Sequence, residues 1–335
     1  MHMKLLTIII PAYNVEKYLD EAVAPYLKLD NPEKLEVLII NDGSQDHTLD
    51  LALEYEKHYP DIIKVIDKEN GGHGSTINTG VSLAQGKYFK VVDGDDWVDQ
   101  HILALFLERM EKIDSDMIAT GFIIVSEETG GKEAVHIQNV EYEKEYKFAE
   151  ICNRIDYIRM HSSFFKTRIF QENHITLDEH CFYVDVEHDI LPLKWIDTVI
   201  FYNDLFYQYR IGRPGQSVNF QAMIKNRENH IRVIKRIIKY RKENELPDTV
   251  DNYIRDRIIS LVNVQYSILF AMDISKMSKK ELSDFDRWLL EEEPSIYYSI
   301  VQKKICLMRR MHFHNYYWVK LLYKLLQKKE MQYVK

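Results

Sequence analysis

The sequence predicts an α/β protein: a doubly wound, mostly parallel sheet flanked by helices, followed by an α-helical C-terminal region. Three observations carry this. Over about the first 125 residues, short apolar, β-branched runs alternate with segments of helical pattern. Those runs are apolar without a break, as strands are when both faces of the sheet are covered. From residue 221 the apolar positions recur at spacings of three and four, as at Ile231, Ile234, Ile237 and Ile238, and glycine is absent after Gly215.

The elements follow in order. Residues 5–10 form a first strand, and 15–29 have helical character. A second strand covers 35–40, a helix 48–58 and a third strand 62–66. Residues 75–84 are helical, 88–92 form a fourth strand and 100–112 a helix. Residues 126–220 are mixed and rich in aromatics, from Tyr142 to Tyr209. The apolar run 258–272 contains Ser260, Asn263, Gln265 and Ser267. At 15 residues it is short of the roughly 20 needed to cross a bilayer, and it reads as a core helix.

With 335 residues the chain has material for about two domains at ~150 residues each. The division expected is 1–220 and 221–335. Hydrophobic residues make up 46%, which excludes a disordered or fibrous chain. The three cysteines, Cys152, Cys181 and Cys306, fit neither a disulfide framework nor a zinc site, so a reducing, cytoplasmic setting is expected. The apolar start of the chain is stopped by Pro11 and followed by Asn14, Glu16 and Lys17, which suits a buried strand better than a signal peptide. The net charge of −8 is unevenly spread: residues 303–335 hold nine Lys/Arg against Glu330 alone, so they carry +8 and the rest −16. An acidic body of this kind argues against nucleic acid as a partner.

Each strand of the first half is followed by a polar cluster: residues 11–14 (PAYN), 41–46 (NDGSQD), 69–75 (ENGGHGS) and 93–97 (DGDDW). In doubly wound sheets ligands bind beyond the carboxyl ends of the strands. Asp93 and Asp95 present hard oxygen ligands suited to a divalent cation and, through it, to phosphate. The plainer reading of the cluster is an acidic turn, with Asp96 or Asp99 capping the next helix. Asp42 stands where a carboxylate accepts hydrogen bonds from a base or a ribose, while Ser44 and Asp46 suit a turn and a helix cap. The glycines of 70–75 let backbone N–H groups approach a phosphate at a helix N-terminus. This stretch lacks the Gly-Lys-Ser/Thr of a Walker loop, and Ile77 stands in place of the third glycine of a dinucleotide fingerprint, which removes hydride transfer. His73 reads as a surface residue at a helix start.

Together, 7–14 (TIIIPAYN), 36–44 (EVLIINDGS), Asn70-Gly71-Gly72 with Asn78 and Gly80, 84–86 (AQG) and 91–97 (VVDGDDW) resemble the family 2 glycosyltransferases of the GT-A fold, in order and in spacing, over roughly the first 100 residues. The resemblance implies a nucleotide-sugar donor, a UDP-sugar first of all, and Mn²⁺ or Mg²⁺ as cofactor. It places Pro11, Ala12 and Tyr13 at the nucleobase, with Asp42 binding the base. Asn14, Asn70, Gly71 and Gly94 line the donor, and Asp93 with Asp95 form the metal-binding Asp-x-Asp motif. Ile77 departs from the pattern, since many relatives carry Arg or Lys before the Asn matching Asn78.

Inverting transfer needs a base for the acceptor hydroxyl. In the relatives it is an Asp past the Asp-x-Asp motif. The matching stretch here is 175–189 (ITLDEHCFYVDVEHD), which nominates Asp185, with Asp189 as competitor. The alternative is that Asp185 caps a helix reaching Trp195, with Glu187 and His188 on its exposed first turn. Residues 207–217 (YQYRIGRPGQS) resemble the closing loop of such domains, with Arg210 or Arg213 available to the diphosphate. Trp97 offers either a stacking face for a sugar or core packing.

The resemblance implies a sugar transferred with inversion to a hydroxyl of a glycan, a glycoprotein or a cell-surface polysaccharide precursor. A processive synthase is disfavoured because Asp284 occupies the Gln position of the Gln-x-x-Arg-Trp signature ahead of Arg287 and Trp288. Two alternatives stay open, a nucleotide-sugar-binding scaffold without catalysis and a sugar nucleotidyltransferase. The basic, aromatic C-terminal segment suits peripheral contact with the inner face of a membrane, homo-oligomerisation, binding of an anionic acceptor, or docking on its own domain.

Overall fold

The computed structural model describes residues 4–213 and 220–322. Residues 214–217 of the closing loop and 323–335 of the basic tail lie outside the described residues. In chain order the first part contains β1 (Leu6–Ala12), α1 (Leu19–Val23), β2 (Leu35–Asp42), α2 (Thr48–His58), β3 (Ile63–Lys68), α3 (His73–Leu83), β4 (Tyr88–Val91), β5 (Trp97–Val98) and α4 (Gln100–Met110). There follow β6 (Met117–Ser126), β7 (Lys132–Val135), β8 (Glu145–Lys147), α5 (Phe148–Ile151), β9 (Ser163–Lys166), α6 (Thr167–Glu172), α7 (Asp185–Ile190) and β10 (Thr198–Ile211). The helical remainder is α8 (Phe220–Lys225), α9 (Arg227–Glu243), α10 (Asp248–Ala271), α11 (Lys276–Glu292), α12 (Pro294–Ser299) and α13 (Lys303–Arg310).

All ten strands belong to one sheet, ordered β3-β2-β1-β4-β9-β6-β10-β5, with β7 beside β6 and β8 beside β10. The first four strands pair in parallel, as their unbroken apolar runs predict. β9 then runs antiparallel to both β4 and β6, β10 parallel to β6, and β5 antiparallel to β10, so the sheet is mixed beyond β4.

Alternation along β1 explains how both faces are covered. Ile8 and Ile10, with Val37 and Ile39, join a core cluster containing Leu19, Val23, Ala52, Leu103 and Phe106, contributed by α1, α2 and α4. Ile9 points the other way, onto α3, where an added Cβ at Gly80 would stand 2.4 Å from its Cγ2. Gly86 is crowded by backbone, which cannot swing aside: a Cβ there would lie 2.5 Å from the Thr7 nitrogen. Gly86→Ala should therefore lower stability by about 1–3 kcal/mol, read as an earlier thermal midpoint.

The region 15–29 holds only the short α1 and a 3₁₀ turn at Ala24–Tyr26, because Pro25 follows directly and removes a helical donor. Asp99, rather than Asp96, caps α4, accepting from the N–H groups of His101 and Ile102. The run 258–272 is the C-terminal part of a longer helix, α10, and ends one residue beyond it, with Ile258, Val262, Tyr266 and Leu269 buried.

The chain divides into two compact units, 1–216 with 244–253, and 217–243 with 254–335. In the second, Ile234, Ile237 and Ile238 of α9 are buried, as their spacing predicts, whereas Ile231 is partly exposed and Val233 is buried in addition. Asp286 accepts from Tyr266 Oη (2.7 Å) and Arg309 Nε (2.8 Å), which ties α10, α11 and α13 together. No helix among the described residues is long and apolar enough to cross a membrane.

Two buried histidines make the fold acid-sensitive. Burial pushes the pKa of His188, in the first unit, down to about 3, and that of His230, in the second, down to about 4. Both are neutral in the folded chain, whereas an unfolded histidine protonates near its ordinary value of 6.5. Their stabilising effect is therefore complete above pH 6.5 and is lost as pH falls toward 4. Between pH 7 and pH 4.5 each should cost about 2 kcal/mol. His230→Gln should flatten the acid side of a stability–pH curve measured by chemical unfolding.

Candidate functional site

Parallel pairing puts the carboxyl ends of β1, β2, β3 and β4 at one edge, so their polar clusters converge. The loops after β1 and β4 touch directly: Gly94 N–H donates to the Pro11 carbonyl (3.0 Å), and a Cβ on Gly94 would lie 2.8 Å from that oxygen. Pro11 and Ala12 are buried, while Tyr13 is 47% exposed. Asn14 adopts φ +53° and fixes the neighbouring loop, its Oδ1 accepting from Gln45 N–H (2.7 Å) and its own N–H donating to Ser44 Oγ (3.1 Å). Of Pro11, Ala12, Tyr13 and Asn14, Tyr13 is thus the one that presents a ring to solvent.

Asp42 is 2% exposed, and its carboxylate is fully engaged. It accepts from Gly71 N–H (2.9 Å), Gly72 N–H (2.8 Å) and Lys68 Nζ (2.9 Å), while Asn70 Nδ2 donates to the Asp42 carbonyl (2.9 Å). Asp42 and Asn70 thereby fix the turn that opens α3. The first residue of that helix is His73, which is half-buried rather than a free surface residue: its Nε2 lies 2.7 Å from Asp93 Oδ1. Burial works against a charge on His73, but Asp93, with Asp185 and Asp95 beyond, raises its pKa above the ordinary value.

The acidic cluster divides into three environments. Burial by itself would raise the pKa of Asp93, but His73, with help from Arg213, holds it below the usual range. Asp95 is paired with Arg213 Nε, and burial together with the charge of Asp93 raises its pKa. Asp96 is buried, accepting from Tyr207 Oη (2.6 Å) and from Arg210 N–H (2.7 Å). Burial and the neighbouring Asp95 and Asp93 hold Asp96 well above the carboxylate range.

A divalent cation has a ligand set here. One ligand atom each from Asp93, Asp96 and His161 lie within 4.8 Å of one another. His161 Nδ1 is buried without a hydrogen-bond partner, and burial pushes the imidazole pKa down to about 3, leaving a neutral ring with a lone pair to offer. Two carboxylates and one imidazole suit Mn²⁺, and the carboxylates alone suit Mg²⁺. Asp95, paired with Asp93 in the sequence reading, here faces Arg213 instead.

Asp185 is the first residue of α7 and half-buried. It does not cap that helix, whose N-cap is Val184 with no side-chain bond. The α-helix stops at Ile190, just before Pro192, and a 3₁₀ helix, Leu191–Trp195, carries the helical stretch on to Trp195. Glu187 and His188 are buried rather than exposed. Asp189 is 5% exposed and accepts from His188 Nδ1 (2.9 Å), which turns it into the interior. The approach to α7 is anchored over α3: Asn78 exchanges hydrogen bonds with the Leu177 backbone (2.9 and 2.8 Å), and His180 N–H donates to the Gly71 carbonyl (2.6 Å). The charge of Asp185 contributes to the raised pKa of His73, whose Nε2 is the atom next to Asp93. Ile77 is buried and contributes no cation.

Arg210 is held away from an open role. Its guanidinium meets Glu21, Glu127 (2.7 Å) and the Asp95 carbonyl (2.9 Å), and stacks 4.7 Å from the centre of the Trp97 ring. That face of Trp97 is consequently covered. Lys90 is a residue the sequence did not single out. It is fully buried on β4, its Nζ donating to the carbonyls of Met160 (3.2 Å), His161 (2.9 Å) and Ser163 (3.2 Å), and it stands 4.5 Å from the Phe164 ring centre. Burial pushes its pKa down to about 7. Lys90 thus fixes the backbone that carries His161.

The sequence profile described as Glycosyl transferase family 2 matches residues 7–176. The uncharacterized glycosyltransferase EpsJ of Bacillus subtilis (strain 168) is 36% identical over 118 residues, covering 35% of this chain and 34% of EpsJ. The chain thus spans about a third of that curated relative. Among solved structures, S. aureus TarS 1-349 in complex with UDP-GlcNAc superposes with a TM-score of 0.66 at 18% identity, covering 96% of this chain and 92% of that one. The mannosyltransferase PcManGT from Pyrobaculum calidifontis, in complex with GDP-Man and Mn²⁺, superposes at 0.51 with 14% identity, covering 98% and 89%. These likenesses show a common GT-A fold, and with the profile match over half of its length the chain belongs to glycosyl transferase family 2.

Proposed function

We propose that the chain transfers a sugar from a nucleoside-diphosphate sugar, a UDP-sugar first of all, to a hydroxyl of a glycan, a glycoprotein or a cell-surface polysaccharide precursor, with inversion at the anomeric carbon. The observation that carries this is the cluster of Asp93, Asp96 and His161 at the carboxyl edge of the parallel strands, with the charge of half-buried Asp185 reaching the adjoining His73. The UDP-GlcNAc bound to TarS and the GDP-Man and Mn²⁺ bound to PcManGT support the donor class and the cofactor.

Pro11, Ala12 and Tyr13 offer the surface for the nucleobase, with the exposed Tyr13 ring able to stack. Asp42, Asn70 and Gly71 act by shaping the turn beneath the donor. Asp93 is the shared ligand of every cation set, with Asp95 on the sequence reading and with Asp96 and His161 on the geometric one. A cation held there supplies charge to offset the departing diphosphate. Arg213, rather than the fully engaged Arg210, is the guanidinium placed to serve the diphosphate oxygens.

Asp185 takes the proton of the acceptor hydroxyl as its oxygen bonds to the anomeric carbon, while the bond to the diphosphate breaks on the opposite face. Asp189 is unsuited to this task because it is buried on His188. The test is incubation with a panel of nucleotide sugars and Mn²⁺, reading nucleoside diphosphate release. Slow hydrolysis of one or a few UDP-sugars is expected. Donor binding without release would favour a scaffold, and diphosphate released from a nucleoside triphosphate plus a sugar phosphate would favour a nucleotidyltransferase.

A further inference from the structure

The helix at 316–322, in the second unit, is built inside out. Tyr316, Val319 and Lys320 face inward, Lys320 donating to the Met272 carbonyl and lying 3.0 Å from Tyr316 Oη. Facing solvent are Tyr317, Trp318, Leu321 and Leu322, exposed by 39, 77, 46 and 57%. One exposed leucine needs no explanation, but an outward helix face made only of aromatics and leucines does. α13 carries exposed Leu307, Lys303 and Arg310, and Met311, just past its end, is exposed as well.

A groove of about 880 Å³ adjoins this face, with Tyr317 in its wall. Lys276, Lys279, Lys280 and Arg287 line it against Asp284 and Glu291, so it is cationic on balance. Lys279 Nζ stands 5.8 Å from the centre of the Tyr317 ring. Residues 323–335, outside the described part, continue the combination in sequence, with Leu325 and Leu326 among Lys324, Lys328, Lys329 and Lys335.

We propose that this surface binds an anionic lipid bilayer. Trp318, Leu321 and Leu322 enter the interfacial zone, and the groove cations meet lipid phosphates. The charge chooses the occupant. A second copy of the chain would bring one +8 segment against another, whereas anionic headgroups complement it.

The test is co-sedimentation of the full chain with phosphatidylcholine vesicles, with and without phosphatidylglycerol. Binding should be at least about tenfold tighter with the anionic lipid and should weaken as salt rises. Trp318→Glu with Leu322→Glu, both at exposed positions, should abolish binding while leaving circular dichroism and the thermal midpoint unchanged. Lys276→Gln, Lys279→Gln and Arg287→Gln together should remove the preference for anionic lipid. Absence of vesicle binding, or equal binding to both vesicles, would overturn the proposal. So would a dimer seen by light scattering that Trp318→Glu dissociates while vesicles go unbound, since the face would then lie between copies. No sugar donor is present in these assays, so their outcome is independent of the transfer reaction.

Discussion

Asp185→Asn should lower turnover by about 10²–10⁴-fold, the range expected for removal of a general base, while the dissociation constant for the nucleotide sugar stays within about twofold. The split between turnover and binding is the informative part. An Asn keeps the shape of the side chain at the start of α7 but cannot take a proton, so the donor still binds and the acceptor is not activated. Asp189→Asn should behave differently. Its carboxylate accepts from His188 Nδ1 inside the protein, so the substitution should show first as a lower thermal midpoint. Titration calorimetry with the donor and initial rates with an acceptor separate the two.

Asp93→Ala should remove Mn²⁺-dependent donor binding and lower transfer by about a thousandfold, since metal stabilisation of a leaving diphosphate is worth several kcal/mol and each 1.36 kcal/mol is tenfold in rate. Chelation of the wild-type protein with EDTA should reproduce the loss, and added Mn²⁺ should restore it in the wild type alone. Two neighbours distinguish the ligand sets. If the cation rests on Asp93, Asp96 and His161, His161→Phe should weaken Mn²⁺ binding while Asp95→Asn leaves it nearly unchanged. If Asp95 turns from Arg213 to the cation, the order reverses. Activity insensitive to EDTA would contradict both.

The first half of the fold was legible because β1, β2 and β4 are buried on both faces and therefore read as unbroken apolar runs. Residues 126–220 were not. β10 pairs with β6 across some eighty positions, and its register shifts twice, between Tyr202 and Leu205 and between Leu205 and Tyr207, so no short-range pattern announces it. In the site, the strand-end positions of Asp42 and Asp93 gave them away. His73, His161 and Lys90 were hidden because each draws its role from a distant partner: Asp93 for His73, the acidic cluster for His161, and the carbonyls of 160–163 for Lys90. Arg210 and Arg213 look interchangeable in sequence. Only the structure shows the first spent on Glu21 and Glu127 and the second on Asp95.

The roles proposed for Asp185 and Asp93 imply that the anomeric carbon is attacked on the face opposite the diphosphate. The most direct test is proton NMR of the sugar released when the protein hydrolyses a UDP-α-sugar, recorded before mutarotation. Water replaces the acceptor, so no acceptor need be known. The β-anomer should appear first with the wild type and should be absent with Asp185→Asn. The α-anomer appearing first, or release undiminished by Asp185→Asn, would contradict the mechanism.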